Sequence, residues 1–93
     1  MKYNIIIEPT AFKDLQDIYE YISKNDSSSK AKKFVNEIKK QIYSLEQMPM
    51  RCRRSYYDES DNTRDLIYKG YTVTFNIVDS TIFVLSVFRQ KNY

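Results

Sequence analysis

The stretch from Tyr71 to Val78 alternates between apolar or aromatic residues and polar ones, and this alternation constrains the fold more than any other feature of the chain. Successive side chains of a β-strand point to opposite faces, so such alternation predicts a strand with one buried face. The residues on that face are Tyr71, Val73, Phe75 and Ile77. Gly70 precedes the strand and Asp79-Ser80 follows it, and both positions suit a tight turn. The flanking segments are therefore predicted to pair with this strand in antiparallel fashion.

Those flanking segments have the composition of strands. Residues 64–69 (Arg-Asp-Leu-Ile-Tyr-Lys) lie before the Gly70 turn, and residues 81–88 (Thr-Ile-Phe-Val-Leu-Ser-Val-Phe) follow the second turn. The last segment is largely apolar on both faces, which is typical of a strand in the middle of a sheet. Residues 3–7 (Tyr-Asn-Ile-Ile-Ile) predict one further short strand near the N-terminus.

Two amphipathic helices are predicted between the first strand and the others, at residues 11–24 and 28–47. Apolar residues recur there at spacings of three and four, which places them on one side of each helix. Thr10 is predicted to cap the first helix and Pro49 to end the second. The lysine-rich outer side of the second helix is interpreted as solvated surface. The apolar stripes are Phe12, Leu15, Ile18, Tyr19 and Ile22, then Ala31, Phe34, Val35, Ile38, Ile42 and Leu45.

The predicted order of elements is β-α-α-β-β-β, in one α+β domain over residues 1–93. A small, mainly antiparallel sheet is expected, with the N-terminal helical hairpin packed on one of its faces because each helix must bury its apolar side. Residues 50–63 have no clear periodicity and are predicted to form a loop.

The residues that the chain lacks exclude several kinds of chemistry. It has no histidine, and Cys52 and Gly70 are its only cysteine and glycine. Catalysis by Ser/His/Asp or Cys/His groups is therefore excluded, and glycine-rich nucleotide-binding loops are absent. A zinc site is disfavoured, because only carboxylates and one thiol could supply its ligands. We predict neither a metal nor a cofactor.

The net charge and hydropathy favour a soluble protein with an anionic partner. Fifteen lysines and arginines against twelve acidic residues give a net charge of +3, which suits nucleic acid or an acidic protein. No apolar run approaches the roughly 20 residues that span a bilayer, and the N-terminal apolar stretch is too short for a signal peptide. A cytoplasmic protein without a membrane partner is expected.

In this order, the segments resemble the RelE/ParE superfamily of toxins from type II toxin–antitoxin systems, over nearly the whole chain. The resemblance rests on the joint order of many short pieces. They are Pro9-Thr10-Ala11, Asp14-Leu15, Ile18 and Tyr21-Ile22; Phe34, Ile38, Ile42, Leu45 and Pro49; Arg51 to Arg54; Arg64 and Leu66; Tyr71, Val73, Phe75 and Val78; Ile82, Val84-Leu85 and Val87; and Arg89-Gln90.

The resemblance implies a toxin that a cognate antitoxin holds inactive. RelE-like members arrest growth by cutting messenger RNA on the ribosome, whereas ParE-like members inhibit DNA gyrase without cutting nucleic acid. The favoured interpretation is a ribosome-dependent mRNA endoribonuclease, with the ribosome and mRNA as partners. The alternatives are a ParE-like gyrase inhibitor and an inactive toxin relic, because a shared fold does not fix function.

The resemblance also implies which residues carry the function. Arg64, Arg89 and Tyr93 correspond to catalytic residues of the RNA-cutting members, and arginine suits phosphate through its planar fork. Many of those members place a histidine just before the terminal tyrosine, whereas this chain has Asn92 there. No general base is evident, which leaves room for the ParE-like alternative. Residues implied to bind RNA or phosphate are Arg51, Arg53, Arg54 and Lys91.

Overall fold

The structure is a computed structural model that describes residues 2–47, 49, 52–54 and 62–89, with only the backbone of residues 53 and 54. The chain forms the following elements in order: β1 (Asn4–Ile7), α1 (Pro9–Asn25), α2 (Ser28–Tyr43), a 3₁₀ turn (Ser44–Glu46), β2 (Arg53–Arg54), β3 (Thr63–Tyr68), β4 (Tyr71–Val78) and β5 (Thr81–Arg89).

The strands form one mixed sheet in the order β1-β5-β4-β3-β2. β1 pairs with β5 in parallel, and all other neighbours are antiparallel. β5 therefore has a partner on each side, as its two apolar faces predict. The α+β fold with a helical hairpin on one face is confirmed. The short strand β2 lies in the segment that the sequence predicts as a loop, so that part of the prediction is wrong.

Both tight hairpin turns form where the sequence predicts them. Lys69 and Gly70 have φ angles of +46° and +83°, as a two-residue turn of type I′ requires at both central positions. Gly70 adopts this angle without steric cost, and its surroundings are open. Asp79 has a φ of +53° in the second turn, a conformation that aspartate tolerates better than most residues.

The helix boundaries differ in part from the predicted ones. α1 begins at Pro9 with Glu8 at the N-cap, so the predicted cap at Thr10 is wrong. Proline suits the first helical position because its φ is preset and its missing N–H has no partner there in any helix. The Ser27 hydroxyl caps α2 by accepting a hydrogen bond from the Lys30 amide at 3.2 Å. α2 ends at Tyr43 and tightens into the 3₁₀ turn that follows.

The core lies between the helical hairpin and one face of the sheet. The alternation on β4 sets this arrangement, since Val73 and Phe75 are fully buried beneath the helices. A β-bulge between Thr74 and Phe75 shifts the register with β5. The buried residues of this core cluster are Ala11, Leu15 and Ile18 of α1; Val35, Ile38 and Ile42 of α2; Leu45 and Cys52; and Leu66, Val73, Phe75, Ile77, Ile82, Val84 and Val87 of the sheet.

Phe75 is the largest of these fully buried side chains, so its truncation tests the core. We expect Phe75→Ala to lower the free energy of unfolding by about 3–5 kcal/mol, through lost burial and the cavity left behind. Urea unfolding followed by circular dichroism measures it. Val78→Ala, at the exposed end of the same strand, should change stability by less than about 0.5 kcal/mol. Equal losses in the two variants would contradict this description of the core.

Candidate functional site: the sheet ends and the helical hairpin

Arg64, a predicted catalytic residue, lies on β3 on the face of the sheet that the helices cover. It is opposite Phe75 of β4 in the antiparallel register. Its Nη1 donates a hydrogen bond to the carbonyl of Cys52 at 2.7 Å, while its Nε is buried without a hydrogen-bond partner among the described residues. Because Cys52 is buried and directly precedes β2, this contact fixes the segment before β2 against β3.

Arg89, the second predicted arginine, lies at the end of β5 and is exposed. It is opposite Tyr71 of β4. It also lines a shallow pocket of about 340 Å³ that opens between α1 and the ends of β4 and β5. The residues lining this pocket are Asp14, Asp17, Ile18, Tyr21, Tyr71, Val87 and Arg89. Carboxylates and a guanidinium group thus share one solvent-open depression beside tyrosine rings.

Asp14 connects α1 to β5 at this pocket. Its Oδ2 accepts a hydrogen bond from the backbone amide of Val87 at 2.9 Å. Asp14 lies outside the apolar stripe that the sequence predicts for this helix, yet its side chain is half-buried against the sheet. A carboxylate that accepts from a backbone N–H makes a charge-assisted bond, stronger than a neutral one. The position of Arg89 is therefore tied to α1 through β5.

The structure does not bring Arg64 and Arg89 together. Their partners on β4, Phe75 and Tyr71, are four residues apart, which is about 13 Å along a strand. The two arginines also lie on opposite sides of β4, a further separation of about 10 Å. Their backbone positions are thus about 16 Å apart, with the buried Val73 between them. They do not form one compact phosphate-binding site.

The other predicted site residues are only partly described. Arg53 and Arg54 form β2, where Arg53 pairs with Asp65 and Arg54 with Arg64 in the backbone register. Arg51, Lys91 and Tyr93 lie outside the described residues.

The sheet face away from the helices carries both polar and apolar side chains. It is here called the open face because neither helix packs on it. Asp65 and Thr74 lie there opposite one another and are buried, and the Thr74 hydroxyl donates to Asp65 Oδ1 at 3.2 Å. In the backbone register Arg53 also falls on this face, opposite Asp65. The side chains described there are uncharged apart from Asp65. They belong to Asn4, Ile6, Thr63, Asp65, Ile67, Thr72, Thr74, Asn76, Val78, Thr81, Phe83, Ser86 and Phe88.

A cluster that sequence reasoning missed joins α2 to the β3–β4 turn. The Tyr68 hydroxyl donates a hydrogen bond to Glu37 Oε2 at 2.6 Å, and Lys69 Nζ lies 3.6 Å from the same oxygen. Phe34 packs against the rings of Tyr68 and Tyr71. Glu37 lies 31 residues from Tyr68 in the sequence, so no local spacing predicts the cluster.

The cluster shifts two pKa values in opposite directions. The pKa of Glu37 is lowered, first by the hydrogen bond from Tyr68 and then by the charges of Lys69 and Lys33, which outweigh partial desolvation. The pKa of Tyr68 is raised, first by its hydrogen bond to Glu37 and then by burial. The pair therefore holds a protonated tyrosine against an ionised carboxylate at neutral pH.

The described residues offer no metal site, because no three of their cysteine, aspartate and glutamate side chains are grouped to hold an ion. Neither described helix is long and apolar enough to cross a membrane.

A family model assigns this fold and sequence to a class of toxins. The model described as "ParE toxin of type II toxin-antitoxin system, parDE" matches residues 5–92. Since this span covers nearly the entire chain, the chain belongs to the ParE toxin family, and the resemblance to RelE/ParE toxins is confirmed. No curated protein sequence matches the chain.

Three solved structures share the fold. A chain of the chromosomal ParDE system from P. aeruginosa superposes with a TM-score of 0.83 at 22% identity, covering 97% of this chain and 98% of the other. A chain of the RelBE2 toxin–antitoxin complex from Mycobacterium tuberculosis gives 0.70 at 18% identity, covering 97% and 100%. The YoeB dimer from Staphylococcus aureus gives 0.62 at 20% identity, covering both chains completely. At these identities, the structures establish the fold alone.

Removal of the Tyr68 hydroxyl tests the cluster around Glu37. In Tyr68→Phe we expect the pKa of Glu37 to rise toward its usual value of 4.5, because the largest cause of its depression is lost. NMR titration of the side-chain carboxyl carbon measures this shift. Tyr21→Phe, which changes an exposed tyrosine on α1, is the matched control and should leave the pKa unchanged.

The lowered pKa of Glu37 also determines how its contribution to folding stability changes with pH. Ionised Glu37 stabilises the folded chain above its unfolded pKa, and this contribution is lost as the pH falls through the lower, folded pKa. The difference in the free energy of unfolding between the unsubstituted chain and Tyr68→Phe should therefore be largest near neutral pH and become smaller in acid. A difference that grew on acidification would refute the assignment of the shift to this hydrogen bond.

Proposed function

We propose that this chain is the toxin of a type II pair, that a cognate antitoxin neutralises it, and that it inhibits DNA gyrase without cutting nucleic acid. The observation that carries the choice of mechanism is the separation of Arg64 from Arg89 by about 16 Å across a buried strand. The ParE family match over residues 5–92 supports the same choice.

RNA cleavage makes demands that the described residues do not meet. It requires a base for the 2′-hydroxyl, an acid for the leaving oxygen, and fixed cations at the developing phosphorane charge. Arg64 already binds the Cys52 carbonyl, and its backbone lies about 16 Å from that of Arg89, so the two arginines do not share one site for this charge. RNA cleavage, the interpretation favoured from the sequence, is the alternative that the experiment below tests directly.

Arg89 is the proposed contact with the target. It is exposed, whereas Arg64 is partly buried and tied to the backbone before β2. Arg89 also leads directly into the segment that contains Lys91 and Tyr93, two further predicted functional residues. The exposed Tyr21 at the same pocket adds an aromatic surface, a residue type common at protein interfaces.

Induction of the toxin separates the two mechanisms. We expect trapped gyrase–DNA cleavage complexes and a DNA-damage response, with messenger RNA intact when its 5′ ends are mapped. Arg89→Ala should weaken growth arrest without changing the free energy of unfolding, because its side chain is exposed. Arg64→Ala should lower that free energy by about 1.5–3 kcal/mol through loss of a charged hydrogen bond.

The outcomes discriminate sharply. New 5′ ends within translated codons, together with undisturbed supercoiling, would replace gyrase inhibition with RNA cleavage. If Arg89→Ala arrests growth as strongly as the unsubstituted toxin, Arg89 does not contact the target. Normal growth on induction would favour the third alternative, an inactive toxin relic.

The groove between α1 and α2 is the proposed docking surface for the antitoxin. It is lined almost entirely by apolar area and holds about 150 Å³. Phe12 is 50% exposed at its margin and Tyr19 is 37% exposed. An amphipathic segment could bury these rings, as helices commonly do in apolar grooves. The lining residues are Phe12, Leu15, Gln16, Tyr19, Val35 and Lys39.

Phe12→Glu tests this surface. Co-expression with the product of the adjacent reading frame should give a complex that is weakened at least about tenfold by the substitution, because an aromatic anchor is replaced by a charge. Val78→Glu places the same charge on an exposed residue of the open face and should leave affinity unchanged. A loss of affinity in Val78→Glu, with Phe12→Glu unaffected, would instead assign antitoxin binding to the open face of the sheet.

A further inference from the structure

The outward side of α2 concentrates positive charge. Lys32, Lys33 and Lys40 are exposed and Lys39 is half-buried. Asn36 and Tyr43 lie on the same side of the helix, between the directions of these lysines around the helix axis. At 100° per residue, the lysines form two rows, one of Lys32 and Lys39 and one of Lys33 and Lys40. These four lysines with Asn36 and Tyr43 are called the lysine face. Lys33, Asn36, Glu37, Lys39, Lys40 and Tyr43 line a depression of about 610 Å³ on it.

The charge is specific to this helix. α2 has five lysines and one acidic residue, whereas α1 has two lysines and three acidic residues. The single acid of α2, Glu37, is already engaged by the Tyr68 hydroxyl and by Lys69. Lys30, the fifth lysine, pairs with Asp26 at 3.3 Å. None of the four lysines of the lysine face forms a salt bridge within 4.0 Å among the described residues, although the charge of Lys33 also acts on Glu37.

The spacing of the lysines suits a regularly charged polyanion. Within each row the two lysines are seven residues apart, which is about 10.5 Å along the helix. The whole face from Lys32 to Lys40 extends over about 12 Å. Duplex DNA presents one negative charge per about 1.7 Å of its axis with both strands counted, or one per about 3.4 Å along each strand, so a face of this length lies against several phosphates. Flexible lysine side chains need no fixed geometry to contact them.

A protein partner fits this surface less well. Protein interfaces are depleted in lysine and depend on buried aromatic or apolar anchors. Tyr43 is the one large exposed apolar side chain on the lysine face, and it is 51% exposed at its end. The charge without anchors therefore favours a phosphate backbone over an acidic peptide.

We propose that the lysine face binds the phosphate backbone of duplex DNA. The choice of duplex DNA among nucleic acids rests on the proposed function, because DNA gyrase acts on a DNA duplex. Binding at this face adds affinity for the gyrase–DNA complex without any readout of base sequence, since phosphate contacts position a protein but do not specify a sequence.

The double variant Lys33→Gln/Lys40→Gln tests the proposal in the full chain. Anisotropy of a short labelled duplex, titrated between about 50 and 200 mM KCl, gives the affinity and its salt slope. Loss of two phosphate contacts should reduce the slope by about 1.8 and lower affinity by at least about tenfold. Lys13→Gln/Lys24→Gln removes the same charge from α1 and should have a much smaller effect. Lys33→Arg/Lys40→Arg should restore binding.

Lys39 stays unchanged in these variants because it also borders the groove between α1 and α2. Equal losses in the α1 and α2 pairs would overturn the proposal, since only net charge would then matter. Tighter binding to single-stranded RNA of the same length would overturn the choice of duplex DNA. A loss of antitoxin binding with duplex affinity unchanged would assign the face to the antitoxin.

This assay is independent of gyrase. If the lysine variants lose duplex affinity while induced toxin leaves gyrase untouched, the proposed function fails and the DNA-binding face remains. If gyrase is trapped and the variants bind duplex as the unchanged chain does, the DNA-binding face fails and the proposed function remains.

Discussion

The parallel pairing of β1 with β5 is the constraint on which the rest of the structure depends. Asn4 lies beside Thr81 in this register, so the first strand of the chain forms the edge of the sheet beside the last strand. Parallel neighbours cannot be joined by a tight turn and need a crossover. Here the connection passes through the helical hairpin, which covers one face of the sheet, and then through β2, β3 and β4. The amide of Glu8 also donates to the Val84 carbonyl at 2.9 Å, which fixes where α1 begins relative to β5.

This constraint also decides where functional side chains can lie. Residues opposite one another on β3, β4 and β5 share a face, so the core positions Phe75 and Val73 separate Arg64 from Arg89. Arg64 falls beside the buried Cys52 and uses its guanidinium group to hold the chain before β2. Arg89 falls at the strand end, where it is exposed beside α1. The positions of their strands in the sheet thus give Arg64 a structural contact and leave Arg89 exposed, although both arginines belong to predicted strand segments.

The sequence predicts the parts of the fold that depend on local pattern. The alternation on β4, the two turns and both apolar stripes depend on residue types within one segment, and the structure confirms them. β2 was missed because its two arginines carry no apolar signal and pair through their backbone. Asp14 and Glu37 were missed for another reason. Their partners, Val87 and Tyr68, lie 73 and 31 residues away, and periodicity carries no information about such contacts.

The helical hairpin separates two kinds of surface that a toxin of this family could use. The groove between α1 and α2 is apolar and suits a partner that buries surface, whereas the lysine face is charged and suits a partner reached through long-range attraction. Lys39 borders both. An antitoxin segment in the groove that reached Lys39 with an acidic side chain would neutralise part of the lysine face as it bound. Occupation of one surface would then weaken binding at the other, and by linkage a polyanion on the lysine face would weaken the antitoxin to the same degree.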